Sequence, residues 1–191
     1  MLWHSFYKSI CEKLKIMKAI YYFVALVTVG VLGVSTGCKK KEGESHMTVK
    51  MVDAPGDFQQ VNVEVLQVQV NHESQGWINL PTTAGIYDLL TLQNDVSATL
   101  VNVGTLPAGH LNQFRMILGD ENTVMVDSLY YPLATPSAQQ SGLKINFNAD
   151  FAPNSTYEVL LDFDAEKSIV TQGNGSYSLK PVIKVLSINP I

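Results

Sequence analysis

Cysteine is almost absent from this 191-residue chain, which has Cys11 and Cys38 and no cysteine after them. The part beyond Cys38 can therefore form no disulfide, no cysteine metal site and no thiol nucleophile. Its stability must come from packing. Residues 38–191 are numerous enough for one domain with its own core.

Positive charge is scarce as well. From Cys38 onward there are nine lysine and arginine residues against sixteen aspartate and glutamate residues, and three of the nine form the run at residues 39–41. The others are scattered, whereas nucleic-acid binding needs a clustered basic face that displaces counterions. We expect no nucleic-acid partner.

Recognisable catalytic motifs are missing too. The chain has no Gly-x-Ser-x-Gly elbow, no His-Glu-x-x-His motif and no phosphate-binding Gly-Lys-Ser/Thr loop. His72 and His110 have no second imidazole at ligand spacing and are interpreted as solvated loop residues. We expect a protein without enzymatic activity; a hydrolase is the less favoured alternative and would need folding to bring Asp120, Asp162 and Asp164 together.

The N-terminal region has the layout of an export signal. Residues 19–37 carry no formal charge, Lys13, Lys15 and Lys18 lie shortly before them, and Cys38 follows directly. Residues 34–38, VSTGC, resemble the lipobox of bacterial lipoproteins, although Ser35 stands where an aliphatic residue is usual. The resemblance implies cleavage before Cys38 and acylation of its thiol, with the membrane as partner through that lipid.

An uncleaved transmembrane helix is the alternative, because nineteen uncharged residues reach the roughly eighteen needed to cross a bilayer. The glycines at positions 30, 33 and 37 and the lysine run at 39–41 argue against it.

Met17 followed by Lys18 is a conventional signal start, so we expect translation to begin there. The predicted organisation is a signal segment at 1–37, the lipidated cysteine with a flexible tether at 38–47, and a domain at 48–191.

The rest of the chain is dominated by apolar residues that alternate with polar ones, the pattern of strands with one buried face. Residues 143–151 and 157–163 show it best, and no convincing amphipathic helix accompanies them. Many short strands separated by turns predict an all-β, two-layer antiparallel sandwich. Within residues 61–70 the alternation of apolar and polar residues shifts by one position, which predicts a β-bulge or a crossover between sheets. Residues 88–103 fit a strand or a turn of helix equally well.

Several blocks of sequence along the chain are distinctive: TVKMVDAPGD (48–57), YDLL (87–90), LPAG (106–109), QFRMILGD (113–120), QSGLK (140–144) and LDFDAEKSI (161–169). Together they resemble an uncharacterised family of bacterial lipoproteins, domain of unknown function 4382. The similarity runs from residue 48 to about residue 185, with Leu111 where the family usually has tyrosine. It implies an envelope lipoprotein with an immunoglobulin- or transthyretin-like domain, periplasmic or surface-exposed, and it brings no established activity and no functional residues.

Asp162 and Asp164 are the candidates for a metal site. Alternate positions on a strand would put both carboxylates on one face, and hard oxygen ligands are what calcium requires. Calcium takes about six to eight oxygens, however, and no glycine-containing calcium loop surrounds them. We expect no cofactor, with structural calcium as the alternative. Asp53 and Asp57 are interpreted as turn caps.

Aromatic residues near turns are the candidates for ligand binding, since an aromatic ring can stack on the apolar face of a sugar. They are Trp77, Tyr130 and Tyr131, and for Trp77 a place in the core is the favoured interpretation. The functional hypothesis is a lipid-anchored, non-enzymatic binding or adhesion module for a glycan or protein. The alternative is a structural or assembly component of an envelope complex.

Overall fold

The computed structural model describes residues 43–54, 56–135, 141–173 and 175–191. These residues form thirteen strands, a 3-10 helix at Leu89–Leu92 and one short α-helix, α1, at Ala165–Ser168. The strands are β1 (Glu44–Val52), β2 (Gln60–His72), β3 (Gly76–Asn79), β4 (Gly85–Asp88), β5 (Ala98–Pro107), β6 (Gly109–Leu118), β7 (Thr123–Val126), β8 (Leu129–Ala134), β9 (Leu143–Phe151), β10 (Thr156–Phe163), β11 (Ile169–Thr171), β12 (Tyr177–Leu179) and β13 (Ile183–Pro190).

The strands form two sheets, which confirms the predicted all-β sandwich. The small sheet has the order β13-β10-β1-β5. The large sheet has the order β11-β12-β8-β7-β2-β6-β9, and β3 and β4 pair with the free side of β2. Most neighbours are antiparallel, but β1 pairs with β10, and β8 with β12, in parallel. The parallel pairs join strands that are distant in sequence.

The core lies between the two sheets and is built by alternation along each strand. Every second residue of β1, from Met47 to Met51, is fully buried. Burying one such side chain stabilises the fold by about 1.5–3 kcal/mol. Aromatic rings join the core from the large sheet, where Phe114 and Phe147 stack with ring centroids 4.4 Å apart. The strands predicted at residues 143–151 and 157–163 are β9 and β10.

The phase shift predicted within residues 61–70 is a β-bulge in β2. Opposite β6, Val65 pairs with Leu118 and Gln67 with Ile117, so that Leu66 is an extra residue without a partner of its own. Leu66 is 44% exposed, whereas Val65 and Val68 on either side are buried. The bulge lets both halves of this 13-residue strand face the same core.

The domain begins earlier than predicted. Residues 44–47, expected in the tether, form the start of β1, and Ser45 is fully buried and donates a hydrogen bond from its hydroxyl to the carbonyl of Ala152. The polar residues of this segment did not predict a strand, although its alternate side chains already enter the core. Cys38, the signal segment and the alternative transmembrane helix lie outside the described residues. Within those residues, no helix has the length and apolarity needed to cross a membrane.

Residues 88–103, whose structure the sequence left open, contain both of the expected elements. Asp88 accepts a hydrogen bond from the backbone N–H of Leu90 and caps the 3-10 helix. Asn94 and Asp95 then turn the chain with backbone φ angles of 55° and 67°, and β5 begins at Ala98. The helix and the turn lie at the end of β1, beside Asp53.

Candidate functional site

The outer surface of the large sheet carries a polar area where β3, β2, β6 and β9 lie side by side. Residues directly opposite each other in antiparallel strands project from the same face of a sheet. The intervening residues Val70, Phe114 and Ile145 are buried, so this area faces outward. We call it the amide face: one row holds Trp77, Asn71, Gln113 and Asn146, and the next holds Asn79, Gln69, Arg115 and Lys144.

Hydrogen bonds between side chains order the amide face. The Gln69 amide donates to Asn79 Oδ1 at 2.6 Å, and the Gln113 amide donates to Asn146 Oδ1 at 2.7 Å. Arg115 Nη1 donates to Gln69 Oε1 at 3.2 Å. Each amide group has two N–H donors and a carbonyl with two lone pairs, so capacity remains after these bonds. The face therefore offers ordered donors and acceptors across about 14 Å, the width of four strands.

Trp77 is half-buried and lies on the amide face. The interpretation favoured from the sequence, a place in the core, is wrong. Its neighbour Ile78 is the residue of β3 that packs against the core. The guanidinium carbon of Arg115 lies 3.8 Å from the centroid of the Trp77 ring, a cation–π contact. The short apolar stretch is thus part of a strand in which Trp77 faces outward and Ile78 faces the core.

The two candidate tyrosines are not near Trp77. Tyr130 is 57% exposed and donates its hydroxyl proton to Gln60 at 2.6 Å, at the end of β2 opposite to Trp77. Gln60 and Asn71, which pairs with Trp77, are about 36 Å apart along β2 at 3.3 Å per residue. Tyr131 packs against the core and tilts onto Tyr177, with ring centroids 5.0 Å apart. The structure therefore does not bring the three aromatic candidates together.

The two calcium candidates are buried and paired with lysines. Asp162 belongs to β10 and lies 2.9 Å from Lys184 Nζ. Asp164 follows the strand and caps α1, accepting from the backbone N–H of Lys167 at 3.0 Å and pairing with Lys167 Nζ at 2.5 Å. Because β10 ends at Phe163, the predicted run of alternate carboxylates on one strand face is wrong. Among the described residues, no three histidine, cysteine, aspartate or glutamate side chains are grouped to hold a metal.

Asp53 joins these carboxylates because β1 and β10 run parallel and end at the same edge. It is 6% exposed and accepts from the Ala165 N–H at 2.8 Å and from the Gln93 amide at 3.2 Å. Burial raises the pKa of Asp53, and the charges of Asp162 and Asp164 raise it further. The turn interpretation of Asp53 missed this cluster.

The pKa of Asp164 moves in the other direction. Burial alone would raise it, but hydrogen bonds from Lys167 and the charge of that lysine lower it below its usual value. The pKa of Lys167 is raised by the same hydrogen bond and charge. The exposed Asp120 lies in the loop after β6 of the large sheet, whereas Asp162 and Asp164 lie at the end of β10 in the small sheet.

A shallow groove of about 410 Å³ lies beside Asp53 on the small sheet. Val52, Leu92 and Leu160 supply apolar lining, and an ion pair of 2.6 Å between Lys50 and Glu158 supplies charge. No sequence pattern indicated this groove, because its residues come from separate strands and from the turn before β5. Lys50 and Glu158 already neutralise each other within the chain.

The two histidines differ in environment. His110 lies on β6 and not in a loop as predicted, and it is partly exposed, with Nδ1 3.1 Å from Asp150 Oδ1. His72 is buried at the end of β2, and its Nδ1 accepts from the Ser74 N–H at 3.2 Å. The solvated-loop interpretation of His72 is wrong because the strand continues through it and its ring packs against Gly109.

Comparison with known proteins places the chain in a family. No curated protein and no solved structure matches it. A family model described as Domain of unknown function (DUF4382) matches residues 44–181, a span that starts with β1 and ends between β12 and β13. Since the match covers well over half of the chain, this protein belongs to the DUF4382 family.

Proposed function

We propose that this protein is a lipid-anchored binding module of the bacterial cell envelope, without enzymatic activity, and that its amide face binds a glycan. The observation that carries the proposal is the outward position of Trp77 among ordered amide side chains. An aromatic ring contributes apolar contact to a sugar ring, and amides exchange hydrogen bonds with its hydroxyl groups.

The shape of the site supports an extended ligand. The amide face is an area on a sheet spanning four strands, not an enclosed cavity, so a chain of sugar units can lie across it. Asn71, Gln113 and Asn146 continue the row that begins at Trp77, and each lies on the next strand. A polymer would therefore meet the tryptophan and the amides in succession.

The proposed anchor would keep this face near the membrane. Only residues 39–43 separate the predicted acylated Cys38 from β1, and the six steps from Cys38 to Glu44 extend at most about 20 Å. The β2–β3 hairpin that presents Trp77 lies at the same end of the domain as the start of β1, because both adjoin the β5–β6 turn. The proposed ligand is therefore an envelope glycan, or one brought close to the envelope.

The experiment is capture of polysaccharides by the full-length protein in detergent, with Trp77→Ala as the test variant. Loss of one stacked ring should weaken binding about ten-fold or more. Tyr130→Ala is the matched control, since it removes an exposed aromatic residue from the far end of the same sheet. Equal affinity of the wild type and Trp77→Ala would refute the proposed site.

A structural role in envelope assembly is the second candidate. It is favoured by β13, an edge strand of the small sheet on which Leu186 is 48% exposed, with Ile191 72% exposed just after it. An edge strand offers unpaired backbone groups to a partner strand. Crosslinking in intact cells, with a cysteine placed at Leu186, tests this role, and recovery of uncrosslinked monomer alone would count against it.

A further inference from the structure

We infer that the amide face binds an acidic glycan, whose sugar carboxylates are recognised by Arg115 and Lys144. This inference rests on the proposed function and adds the chemical class of the ligand. It begins from the charges of the domain, where acidic residues outnumber basic ones and basic side chains are few.

Basic side chains elsewhere in the domain are mostly neutralised internally. The structure describes six lysine and arginine residues, and three of them, Lys50, Lys167 and Lys184, form ion pairs with acidic side chains. Arg115 and Lys144 form no ion pair with any described residue, and the amide face itself contains no acidic side chain. Two unneutralised cations thus share one face of an acidic domain.

Their placement is unfavourable for the protein alone. Arg115 on β6 stands directly opposite Lys144 on β9 in the pairing register. Like charges directly opposite each other across an antiparallel pair destabilise a sheet. A carboxylate bound over these two strands would relieve the repulsion, so the arrangement favours an anionic ligand over a neutral one.

Arg115 is also held in place before any ligand arrives. Its guanidinium stacks on Trp77 and donates to Gln69, and its stem packs so closely on Gly142 that an added Cβ there would lie 2.6 Å from Arg115 Cγ. Nε is buried and has no hydrogen-bond partner. A planar guanidinium is suited to bidentate pairing with a carboxylate.

The combination of an aromatic ring with a fixed guanidinium describes the ligand. A uronic acid sugar has an apolar ring face for Trp77 and a carboxylate for the basic pair. The acidic surplus of the domain opposes unspecific attraction of polyanions, so binding requires this local arrangement. A polymer of such sugars would present these two features repeatedly along the amide face.

The test compares three soluble polymers with the full-length protein in detergent: polygalacturonate, its fully methyl-esterified form, and poly-L-glutamate. We expect polygalacturonate to bind at least about ten-fold more tightly than the methyl ester, the factor given by the loss of one charge-assisted hydrogen bond. Equal binding of acid and ester would overturn the inference while leaving the proposed glycan function standing. Binding of neither, together with no binding to neutral polysaccharides, would overturn both.

Poly-L-glutamate carries carboxylates but no sugar rings, so it distinguishes a site for acidic sugars from a site that binds any polyanion. We expect it to bind weakly and without dependence on Trp77. If it binds as tightly as polygalacturonate, and Trp77→Ala leaves both affinities unchanged, the site recognises charge and not an acidic sugar.

Two substitutions connect the effect to the basic pair. Lys144→Gln should weaken polygalacturonate binding about ten-fold, a clearly larger loss than the one it causes for the methyl ester. Lys180→Gln is the matched control, since Lys180 is exposed, makes no ion pair with a described residue and lies outside the amide face. Arg115→Lys keeps the charge but removes the planar fork, so it should weaken acid binding as well. Equal effects of Lys144→Gln and Lys180→Gln would contradict the inference.

Discussion

Among individual residues, Asp53 and Asp164 are the clearest case of similar side chains given opposite properties by their surroundings. Both are buried at the edge where β1 and β10 end. Burial outweighs the hydrogen bonds of Asp53 and raises its pKa, whereas Lys167 outweighs burial at Asp164 and lowers its pKa. The two carboxylates should therefore change the stability of the fold in opposite directions as pH varies.

Asp164→Asn should lower the free energy of unfolding at neutral pH by about 1 kcal/mol, because it removes the charge paired with the exposed Lys167. A carboxylate with a lowered pKa contributes stability above its usual titration range and loses it as pH falls through the lowered value. Urea denaturation at several pH values checks this. The difference between the variant and the wild type should disappear in acid, and a difference independent of pH would contradict the charge explanation.

Asp53→Asn should behave in the opposite way. With a raised pKa, folded Asp53 binds a proton more tightly than the unfolded chain does, so the wild type loses stability as pH rises from the usual aspartate range through the raised value. Asparagine retains an oxygen for the Ala165 N–H and does not titrate. The unfolding free energy of Asp53→Asn, measured relative to wild type, should increase from acid to neutral pH and then level off. A decrease would show that Gln93 and Ala165 dominate.

Some properties of single residues were not predictable from sequence. The cluster around Asp53 depends on the pairing of β1 with β10, which are more than 100 residues apart, and no local pattern encodes that contact. Trp77 lies in a strand of four residues, too short for alternation to determine which side faces the core. The candidate aromatic residue was identified, but its favoured placement was wrong.

At the scale of elements, the bulge in β2 permits a sharp test. Deleting Leu66 removes the extra residue and leaves the valines at 61, 63, 65, 68 and 70 on one face in unbroken alternation. We expect the deletion to fold and to change stability by no more than about 2 kcal/mol, a typical effect of one substitution. Thermal denaturation followed by circular dichroism measures it.

Deletion of Gln69 is the matched control for the bulge. It would turn Val70 outward and Asn71 inward, because removal of one residue from a regular strand exchanges its two faces. Exposure of the valine and burial of the amide should together destabilise the fold by at least about 3 kcal/mol. Similar losses in the two deletions would mean that the bulge itself has a role in stability.

Alternation was enough to predict β9, β10 and the irregularity in β2, since each has a long pattern with one buried face. It did not predict the start of β1, where histidine and serine occupy strand positions. It also did not reveal the parallel pairs, because strand order is determined by contacts between distant segments. Local signals therefore fixed the class of fold but left the arrangement of strands open.

For the whole molecule, the central prediction concerns attachment to the membrane. Cys38→Ser should release the protein from the membrane fraction or leave it as unprocessed precursor, because no thiol is available for the lipid. Mass spectrometry of the wild type should find an acylated N-terminus at Cys38 and no residues 1–37. A membrane-bound Cys38→Ser protein with normal processing would contradict lipid attachment, and retention of residues 19–37 in the wild type would favour the transmembrane alternative.

The side of the membrane that the domain faces decides between the two candidate roles. Intact cells exposed to an impermeant protease, with a periplasmic protein as control, provide the measurement. Cleavage of the domain would indicate an outward position and favour glycan binding. Protection in intact cells and cleavage after lysis would favour assembly within the periplasm.

The central parallel pair of the small sheet has a consequence for how the chain is made. Synthesis proceeds from the N-terminus, so β1 exists long before its partner β10, whose last residue is Phe163. Until then β1 can pair only with β5, and the apolar side chains at Met47, Val49 and Met51 lack the neighbours that later cover them. Folding of this domain can therefore be complete only after β10 has been made, and a product truncated before β10 could not close its core.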